Sequence, residues 1–327
     1  KIVVLSAMSG TTNTLVEISD YLYKKNPEGA NEIINKLESK YRQHIDELFA
    51  TPEYKQKGLE LIKSHFDYIR SYTKDLFTLF EEKVVLAQGE LISTAMMNYY
   101  LQECGVKSVL LPALEYMRTD KNAEPDPVYI KDKLQVQLEL HPDAEIYITQ
   151  GYICRNAYGE IDNLQRGGSD YTASLIGAAI NASEIQIWTD IDGMHNNDPR
   201  IVDKTAPVRH LHFEEAAELA YFGAKILHPT CIQPAKYANI PVRLLNTMDP
   251  TAPGTLISND TEKGKIKAVA AKDNITAIKI KSSRMLLAHG FLRKVFEIFE
   301  SYQTSIDMIC TSEVGCLLYT SPSPRDM

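Results

Sequence analysis

Residues 165–173, which read QRGGSDYTA, have the composition of an anion-binding turn. Ser or Asp at a helix start caps free backbone N–H groups, and glycine lets a ligand approach those groups closely. Arg166 adds a planar guanidinium that can hold a carboxylate through two hydrogen bonds. A capped helix after a glycine turn explains the Gly-Gly-Ser-Asp part alone. The flanking Arg166 and residues 171–173 favour a binding site.

A second polar segment follows an apolar run at residues 184–188. Thr189 and Asp190 end the run, a loop follows, and Arg200 comes after Asp198 and a proline. Such a loop can hold a nucleotide, with Arg200 neutralising phosphate charge. An ordinary turn region rich in Asp, Gly and Pro explains the same residues equally well.

Glu90, Lys225 and His195 are weaker candidates. Glu90 follows Gly89 at the end of a predicted strand, where it can bind an ammonium group or interact favourably with a helix dipole. Lys225 follows a predicted helix end, where a lysine is by default surface charge. No histidines show metal-ligand spacing, and His195 stands out only because it lies in the proposed nucleotide loop.

The apolar runs predict an α/β protein. Short runs at residues 2–6, 84–87, 106–111, 145–149, 184–188 and 242–245 read as strands, and residues 14–82, 169–180 and 213–222 read as helical. This alternation implies a three-layer fold with a largely parallel sheet covered on both faces. Active sites of such sheets lie at the carboxyl ends of the strands, and the polar clusters follow Leu5, Ala87, Thr149 and Trp188.

The pattern restarts after residues 250–265, which are rich in Gly, Pro, Thr and Lys and read as a linker. A strand at 275–280, a helix at 290–301 and a strand at 306–310 indicate a smaller α+β unit. This unit resembles the ACT type, a fold known for binding amino acids. We therefore divide the chain into a catalytic domain at 1–249 and a partial ACT-like domain at 266–316. Residues 317–327 read as a non-native or disordered tail.

Composition excludes several classes of protein. The 327 residues are 44% hydrophobic and 24% charged, with a formal net charge of −8, which argues against a general nucleic-acid binder. No apolar run reaches the roughly 18 residues that span a bilayer. The five cysteines are odd in number and widely spaced, so we expect a reducing cytoplasm. Because the chain opens without Met on a buried strand, we also expect a missing N-terminal segment.

Six motifs, in this order, resemble the aspartate kinase family within the amino-acid kinase fold. They are SAMSGTTN at 6–13, GE at 89–90, RGGSDYTA at 166–173, WTDIDG at 188–193, DPR at 198–200 and FGAKILHP at 222–229. Residues 282–299 and 305–314 resemble the first ACT region of the same family. The resemblance covers nearly the whole chain.

The resemblance implies a role for each matching residue. Arg166 would hold a carboxylate of aspartate and Glu90 its amino group, and the aspartate-binding set is Thr12, Glu90, Arg166, Gly167, Gly168, Ser169 and Asp170. The ATP-contacting set is Thr189, Asp190, His195, Arg200, Lys225 and Ile226. Catalytic roles would fall to Arg166, Asp170 and Lys225. Mg²⁺ would bridge the ATP phosphates, with Asp190 as an indirect contact.

This sequence departs from the family pattern in three places. His195 stands where relatives often carry Tyr, and residues 162–165 read DNLQ where many relatives have TTLG. The family's Lys-Phe-Gly-Gly-Thr-Ser segment, which supplies a phosphate-stabilising lysine, is absent and would be expected upstream of Lys1. Since phosphoryl transfer depends on positioning and charge stabilisation, we expect the chain alone to be crippled without it.

The resemblance implies transfer of the γ-phosphoryl group of MgATP to the β-carboxylate of L-aspartate, the first step of lysine, threonine and methionine synthesis. A lysine effector would contact Met285, Gly290, Leu292, Ser305, Ile306 and Asp307, and ACT regions would pair two copies into a homodimer. The alternatives are a relative acting on glutamate, acetylglutamate or UMP, and a non-catalytic regulatory module that binds an amino acid. Whether a homoserine dehydrogenase follows stays open.

Overall fold

The computed structural model describes residues 1–74, 76–164, 168–198, 200–222, 228–260, 266–271, 273–281, 289–312 and 315–320. The chain divides into unit 1, Lys1–Val269, and unit 2, Ala270–Met327. The aspartate and ATP residues implied by the sequence fall in unit 1, and the effector residues fall in unit 2.

Three short apolar runs of unit 1 form a parallel sheet. They are β1 (Ile2–Leu5), β2 (Ser108–Leu111) and β3 (Ile146–Gln150), in the spatial order β1-β3-β2. Leu5 lies opposite Gln150, and the N–H of Gly151 donates to the Leu5 carbonyl at 2.9 Å. The segments after β1 and β3 therefore leave the sheet at the same edge, where parallel sheets place their active sites.

Helices fill most of residues 11–103. They are α1 (Thr11–Tyr23), α2 (Pro27–Leu48), α3 (Pro52–Ser71) and α4 (Leu79–Glu103). Pro27 and Pro52 open α2 and α3, where a proline sacrifices no helical hydrogen bond. The inner faces of the four helices meet in one apolar cluster that includes Tyr41, Phe66 and Ile92. The predicted helical region at 14–82 is therefore confirmed.

The predicted strand at residues 84–87 is wrong, because those residues lie inside α4. Thr78 and Glu81 form a capping box that starts this helix before the apolar run. Residues 84–87 are all buried, so the helix carries no polar residue there to reveal its period. A short apolar run buried on every side does not distinguish a strand from a helix.

A hairpin and two helices follow on unit 1. The hairpin pairs β4 (Ile153–Arg155) with β5 (Ile161–Asn163), and the helices are α5 (Pro127–Glu139) and α6 (Gly168–Ala179). Lys83 of α4 forms an ion pair with Asp162 of the hairpin at 2.7 Å. The predicted helix at 169–180 is confirmed as α6, which packs against β1.

The second sheet of unit 1 is mixed. It contains β6 (Ile185–Thr189), β7 (His210–His212), β8 (Val242–Asn246) and β9 (Thr255–Ser258), in the order β6-β8-β9-β7. β6 is parallel to β8, whereas β9 runs antiparallel to β8. The predicted linker at 250–265 is wrong for β9, whose Thr255 and Ile257 are buried. Helices α7 (Phe213–Tyr221) and α8 (Gln233–Tyr237) belong to the same part of unit 1.

Unit 2 is a small antiparallel sheet with one helix among its described residues. The sheet contains β10 (Thr276–Lys281), β11 (Met308–Thr311) and β12 (Gly315–Thr320), with β12 in the middle, and the helix is α9 (Phe291–Ser301). Residues 317–320, which we assigned to a tail, lie in the central strand. Leu318 is fully buried there, so its apolar neighbours belong to the core.

No helix in the described part of the chain is both long and apolar enough to cross a membrane.

Candidate active site

The β1–α1 loop, residues 6–10, lies against the first turn of α6. Ser6 Oγ donates to Ser169 Oγ at 2.7 Å, and Ser93 Oγ of α4 donates to the Ser6 carbonyl at 2.8 Å. Gly151 permits the approach, because a Cβ there would lie 2.7 Å from the Cα of Ser169. Four segments that are distant in sequence therefore meet at the edge of the parallel sheet.

Glu90 is the buried acid of this site, with only 4% of the residue exposed. Its Oε1 accepts a hydrogen bond from the Ala7 N–H at 3.2 Å, and no described residue hydrogen-bonds its buried Oε2. Burial raises the pKa of Glu90 to about 7, although the Ala7 N–H favours the ionised form. A buried carboxylate oxygen costs free energy unless a donor or a cation completes it. The site is thus suited to an ammonium group.

Gly89 brings Glu90 to the loop. A Cβ at Gly89 would lie 2.8 Å from the Cβ of Ala7 and 3.3 Å from a methyl carbon of Thr11. Any larger residue would push α4 away from the β1–α1 loop, since packed interiors tolerate little added volume. Gly89 and Glu90, which the sequence placed at a strand end, therefore lie in the middle of α4.

Thr12 lies in the first turn of α1, directly after the β1–α1 loop. Gly10 adopts φ of +80°, which glycine tolerates and which turns the chain into the helix. Thr11 is buried and Thr12 is half-buried. The first N–H groups of a helix have no partner within it, so this turn can bind a carboxylate.

Ser169 and Asp170 occupy the first turn of α6. Burial raises the pKa of Asp170 to about 6. Burial also raises the pKa of Cys231 to about 12, and the nearby charge of Asp170 contributes. Cys231 belongs to a short 3-10 helix, Pro229–Ile232, so the start of α6 also faces the segment that follows residues 223–227.

Tyr152 is a residue of this site that the sequence reasoning missed. It adopts φ of +67°, a conformation that costs a non-glycine residue free energy and that clusters at functional sites. Its N–H donates to Thr172 Oγ1 at 3.0 Å, and a Cβ at Gly168 would lie 3.2 Å from its ring. Burial raises its pKa to about 12, and the negative charge of Glu90 contributes. Its position after Gly151 at a strand end was the only signal in the sequence.

Several predicted residues lie outside the part of the chain that the structure describes. These are Arg166, Gly167, Lys225, Ile226 and Met285. Their roles stay predictions.

The predicted nucleotide residues lie on one segment after β6. Thr189 ends the strand, where its carbonyl accepts from the Thr247 N–H at 2.8 Å, and Asp190 is exposed beyond it. Gly193 has φ of +72° and packs so closely that a Cβ would lie 2.7 Å from the Thr255 nitrogen. Asp192 forms an ion pair with Arg209 at 3.0 Å. These contacts hold the start of the segment against β9.

His195 and Arg200 have partners within the same region. His195 Nδ1 is 2.8 Å from Thr205 Oγ1, so that ring nitrogen is not open to a ligand. Arg200 is exposed and forms an ion pair with Asp198 at 2.5 Å. A phosphate would have to compete with Asp198 for this guanidinium.

Two of the described effector residues of unit 2 pack on one small apolar core, whereas Gly290 and Ser305 are exposed. Gly290 precedes α9 with φ of +79°, and Leu292 and Ile306 pack on the same apolar cluster. The Asp307 N–H donates to the Tyr319 carbonyl at 2.8 Å. The fold of unit 2 therefore brings the two predicted effector segments, at 290–292 and 305–307, to one cluster.

Known proteins resemble the chain over most of its length. Residues 1–246 match the model of the amino acid kinase family. Aspartokinase 1, chloroplastic, of Arabidopsis thaliana is 36% identical over 98% of this chain and 58% of its own length. Lysine-sensitive aspartokinase 3 of Escherichia coli (strain K12) is 34% identical over 97% of this chain and 71% of its own length.

Solved structures agree with these sequence relatives. The crystal structure of E. coli aspartokinase III in complex with aspartate and ADP (R-state) has a TM-score of 0.84 at 33% identity, covering 99% of this chain and 72% of that chain. The structure of the same enzyme with lysine and aspartate (T-state) has a TM-score of 0.79, covering 98% of this chain and 72% of that chain. The chain spans less than two thirds of the length of the Arabidopsis relative. It belongs to the amino acid kinase family and, within that family, to the aspartokinases.

Proposed function

We propose that the protein containing this chain is an aspartate kinase, which transfers the γ-phosphoryl group of MgATP to the β-carboxylate of L-aspartate. The observation that carries the proposal is the buried Glu90 carboxylate, whose Oε2 has no described partner. A carboxylate oxygen of aspartate attacks the γ-phosphorus, the bond to the β,γ-bridging oxygen breaks, and ADP leaves. No proton has to move, because the attacking carboxylate is already ionised at neutral pH.

The amino-acid side of the site divides the work between charges of opposite sign. Glu90 binds the ammonium group of aspartate, and ammonium binding in turn keeps Glu90 ionised despite its burial. The first turns of α1 and α6, with Thr12 and Ser169, offer N–H groups to the carboxylates. Arg166 holds one carboxylate bidentately. The match to aspartokinases over nearly the whole chain supports aspartate rather than glutamate as the substrate.

Asp170 connects the two substrates. α6, whose first turn carries Asp170, contacts the 3-10 helix Pro229–Ile232 that follows residues 223–227, and the charge of Asp170 contributes to the raised pKa of Cys231 in that helix. A partly buried carboxylate at that point suits the cationic groups that the sequence predicts on either side, Arg166 and Lys225. We propose that both cations stabilise the transferred phosphoryl group, where negative charge accumulates.

MgATP would bind along the segment after β6. The relative with a TM-score of 0.84 was solved with ADP, which supports nucleotide binding by this protein. Mg²⁺ usually keeps several waters and binds one or two carboxylates together with substrate phosphates. The exposed Asp190 carboxylate at the end of β6 suits an indirect contact of this kind.

The test is acyl phosphate formation by the full-length gene product, trapped as the hydroxamate. We expect product that depends on both ATP and aspartate, with glutamate and UMP as control acceptors. Product with either control acceptor and none with aspartate would overturn the assignment of the substrate. Binding of an amino acid without any ATP binding would favour the regulatory module instead.

We further propose that lysine inhibits the enzyme through unit 2. The two effector segments meet at one cluster, and a relative at 33% identity was solved with lysine and aspartate. Two copies of unit 2 would pair into a homodimer, which sedimentation of the full-length protein tests. Lysine titration of the activity should raise the aspartate concentration needed for half-maximal rate. An unchanged rate at saturating lysine rules out this regulation.

The cytoplasm is the proposed location, based on the sequence composition. Aspartokinases 1 and 3 of Arabidopsis thaliana are chloroplastic, so a plastid is the alternative. Fractionation of cells that express the full-length protein distinguishes the two.

A further inference from the structure

Two consecutive residues of α2 hold the β1–α1 loop and the start of α1. Lys40 Nζ donates to the Ser9 carbonyl at 2.9 Å, and the Tyr41 hydroxyl lies 3.0 Å from Thr11 Oγ1. The two contacts flank Gly10, whose φ of +80° makes the turn into α1. α2 therefore contacts this turn on both sides of Gly10, at Ser9 and at Thr11.

The Tyr41 contact is buried, whereas the Lys40 contact is exposed. Tyr41 has no accessible surface and its ring packs edge-on against Phe66, with centroids 5.8 Å apart. Thr11 is 1% exposed. The hydroxyl of Tyr41 is thus a polar group buried within an apolar cluster, and Thr11 is its described hydrogen-bond partner. A buried hydrogen bond of this kind specifies orientation, because breaking it leaves a polar atom unpaired.

Glu90 lies close to this pair. Gly89 packs on Ala7 and Thr11, so the next residue of α4 is carried to the same turn. Burial raises the pKa of Tyr41 to about 12, and the negative charge of Glu90 contributes to the increase. Ala7, whose N–H binds Glu90, is three residues before Gly10. The position of the turn therefore sets the position of the hydrogen bond that Glu90 receives.

We infer that Tyr41 is a positioning residue for the amino-acid substrate, acting through Thr11 and the β1–α1 loop on Glu90 and Thr12. This inference rests on the proposed function, because it assigns the loop to the aspartate side of the site. Lys40 is the second, outer attachment of the same loop. The helical segment formed by α2 and α3 thereby contributes to substrate binding without contacting the substrate.

The chain offers a matched control in Tyr116. Its hydroxyl lies 2.6 Å from Thr149 Oγ1, and both residues are fully buried, as in the pair of Tyr41 and Thr11. Tyr116 packs in the cluster around β2 and α5. Tyr41→Phe and Tyr116→Phe therefore remove the same group from similarly buried pairs, and only the first removes a contact to Thr11, which directly follows the β1–α1 loop.

The experiment compares both variants in the full-length protein, with steady-state kinetics for aspartate and for ATP. We expect Tyr41→Phe to raise the KM for aspartate about tenfold, the effect of one lost buried hydrogen bond, and to leave the KM for ATP unchanged. Both variants should lower thermal stability to a similar extent, because each loses one buried hydrogen bond. Tyr116→Phe should leave the KM for aspartate and the KM for ATP unchanged. Lys40→Met should raise the KM for aspartate about twofold, since an exposed contact contributes little.

Equal KM values for aspartate in the two Tyr→Phe variants would reduce Tyr41 to a packing residue and overturn the inference. Hydrogen exchange of peptides covering residues 6–14 gives a readout that needs no activity. Exchange should be faster in Tyr41→Phe than in Tyr116→Phe, because the turn loses its buried attachment. If the wild-type protein fails to phosphorylate aspartate, the proposed function is wrong, and equal exchange in the two variants separately shows that the positioning role is wrong.

Discussion

The amino-acid side and the nucleotide side of the candidate site are built in opposite ways. The amino-acid side gathers groups from the β1–α1 loop, α4, the segment after β3 and α6, and its central acid, Glu90, is buried. The nucleotide side, residues 189–200, is one contiguous segment whose Asp190 and Arg200 are exposed. Glu90 keeps an oxygen without a described partner, whereas Arg200 is paired with Asp198. Under the proposed function, the first side would be set before substrate arrives, and on the second side a phosphate would replace Asp198 as the partner of Arg200.

Glu90→Gln should produce the largest effect. The amide keeps the shape of the side chain and removes the charge that pairs with the substrate ammonium, a loss of about 3 kcal/mol for a buried pair. We expect the KM for aspartate to rise about 100-fold with the KM for ATP unchanged, measured by steady-state kinetics.

Gln88→Glu is the control for charge on the same helix, because Gln88 is also buried but bonds His65, at 2.6 Å, rather than the loop. It should affect stability more than the KM for aspartate. An unchanged KM for aspartate in Glu90→Gln would show that the buried acid does not bind the amino group.

The pH dependence should be the next largest effect. Since burial raises the pKa of Glu90 to about 7, the free enzyme carries a protonated, neutral Glu90 below that pH. We expect kcat/KM for aspartate to fall about tenfold per pH unit below 7 and kcat/KM for ATP to fall less. A profile for aspartate that stays flat from pH 6 to 8 would contradict the raised pKa.

The raised pKa of Glu90 has the opposite effect on the stability of the unliganded protein, which is higher at low pH, where kcat/KM for aspartate is lower. A raised folded-state pKa means that the folded protein holds the proton more tightly than the unfolded chain. The contribution of protonated Glu90 to the free energy of unfolding is fully present below pH 4.5. It is lost as the pH rises through about 7, and the loss reaches about 3 kcal/mol. Glu90→Gln without ligand should therefore melt higher than the wild type at pH 8, with a smaller difference at pH 6.

Arg200→Ala should have a moderate effect confined to the nucleotide side. An exposed guanidinium that must leave Asp198 contributes about 1 kcal/mol, so we expect the KM for ATP to rise about fivefold with the KM for aspartate unchanged. Arg293→Ala is the matched control, since Arg293 is also exposed and pairs with Glu297 at 2.7 Å. Similar kinetics in both variants would exclude a phosphate role for Arg200.

Lys83→Met should have a smaller effect than Arg200→Ala. The half-buried pair of Lys83 with Asp162 ties α4 to the hairpin that leads toward residues 165–170. We expect kcat/KM for aspartate to fall about threefold, in line with a pair worth less than 1 kcal/mol. Asp162→Asn should match it, and the double variant should be no worse than either single one. Additive losses would mean that the two residues act independently.

The sequence identified candidate site residues better than it predicted the structural elements around them. Ser169 and Asp170 open α6 as expected, because a Ser-Asp pair after glycines signals a helix start. Glu90 was found from the same kind of local signal but was placed at the turn after a strand, since the buried helix that holds it shows no polar face. Tyr152 and Tyr41 were missed, because nothing local distinguishes a tyrosine that packs in a core from one that orients a site.

For the predicted nucleotide residues, the sequence did not reveal which side chains they contact. The sequence assigned Thr189, Asp190, His195 and Arg200 to one nucleotide segment because they are close in the chain, and this assignment stays a prediction. It did not reveal that Thr205 holds His195 or that Asp198 pairs with Arg200. Partners of this kind depend on backbone geometry and rotamers, which residue identity leaves open.

By itself, the sequence predicted the α/β class and the helices α6, α7 and α9, because hydrophobic period and capping residues act over a few positions. The anion-binding turn at residues 166–170 stays a prediction. Only the tertiary structure decided which of these elements meet. Gly89 and Gly151 allow α4 and α6 to approach the β1–α1 loop, and that approach buries Glu90. Burial is a property of the packed chain, so the raised pKa of Glu90, and with it the chemistry of the site, exists only in the fold.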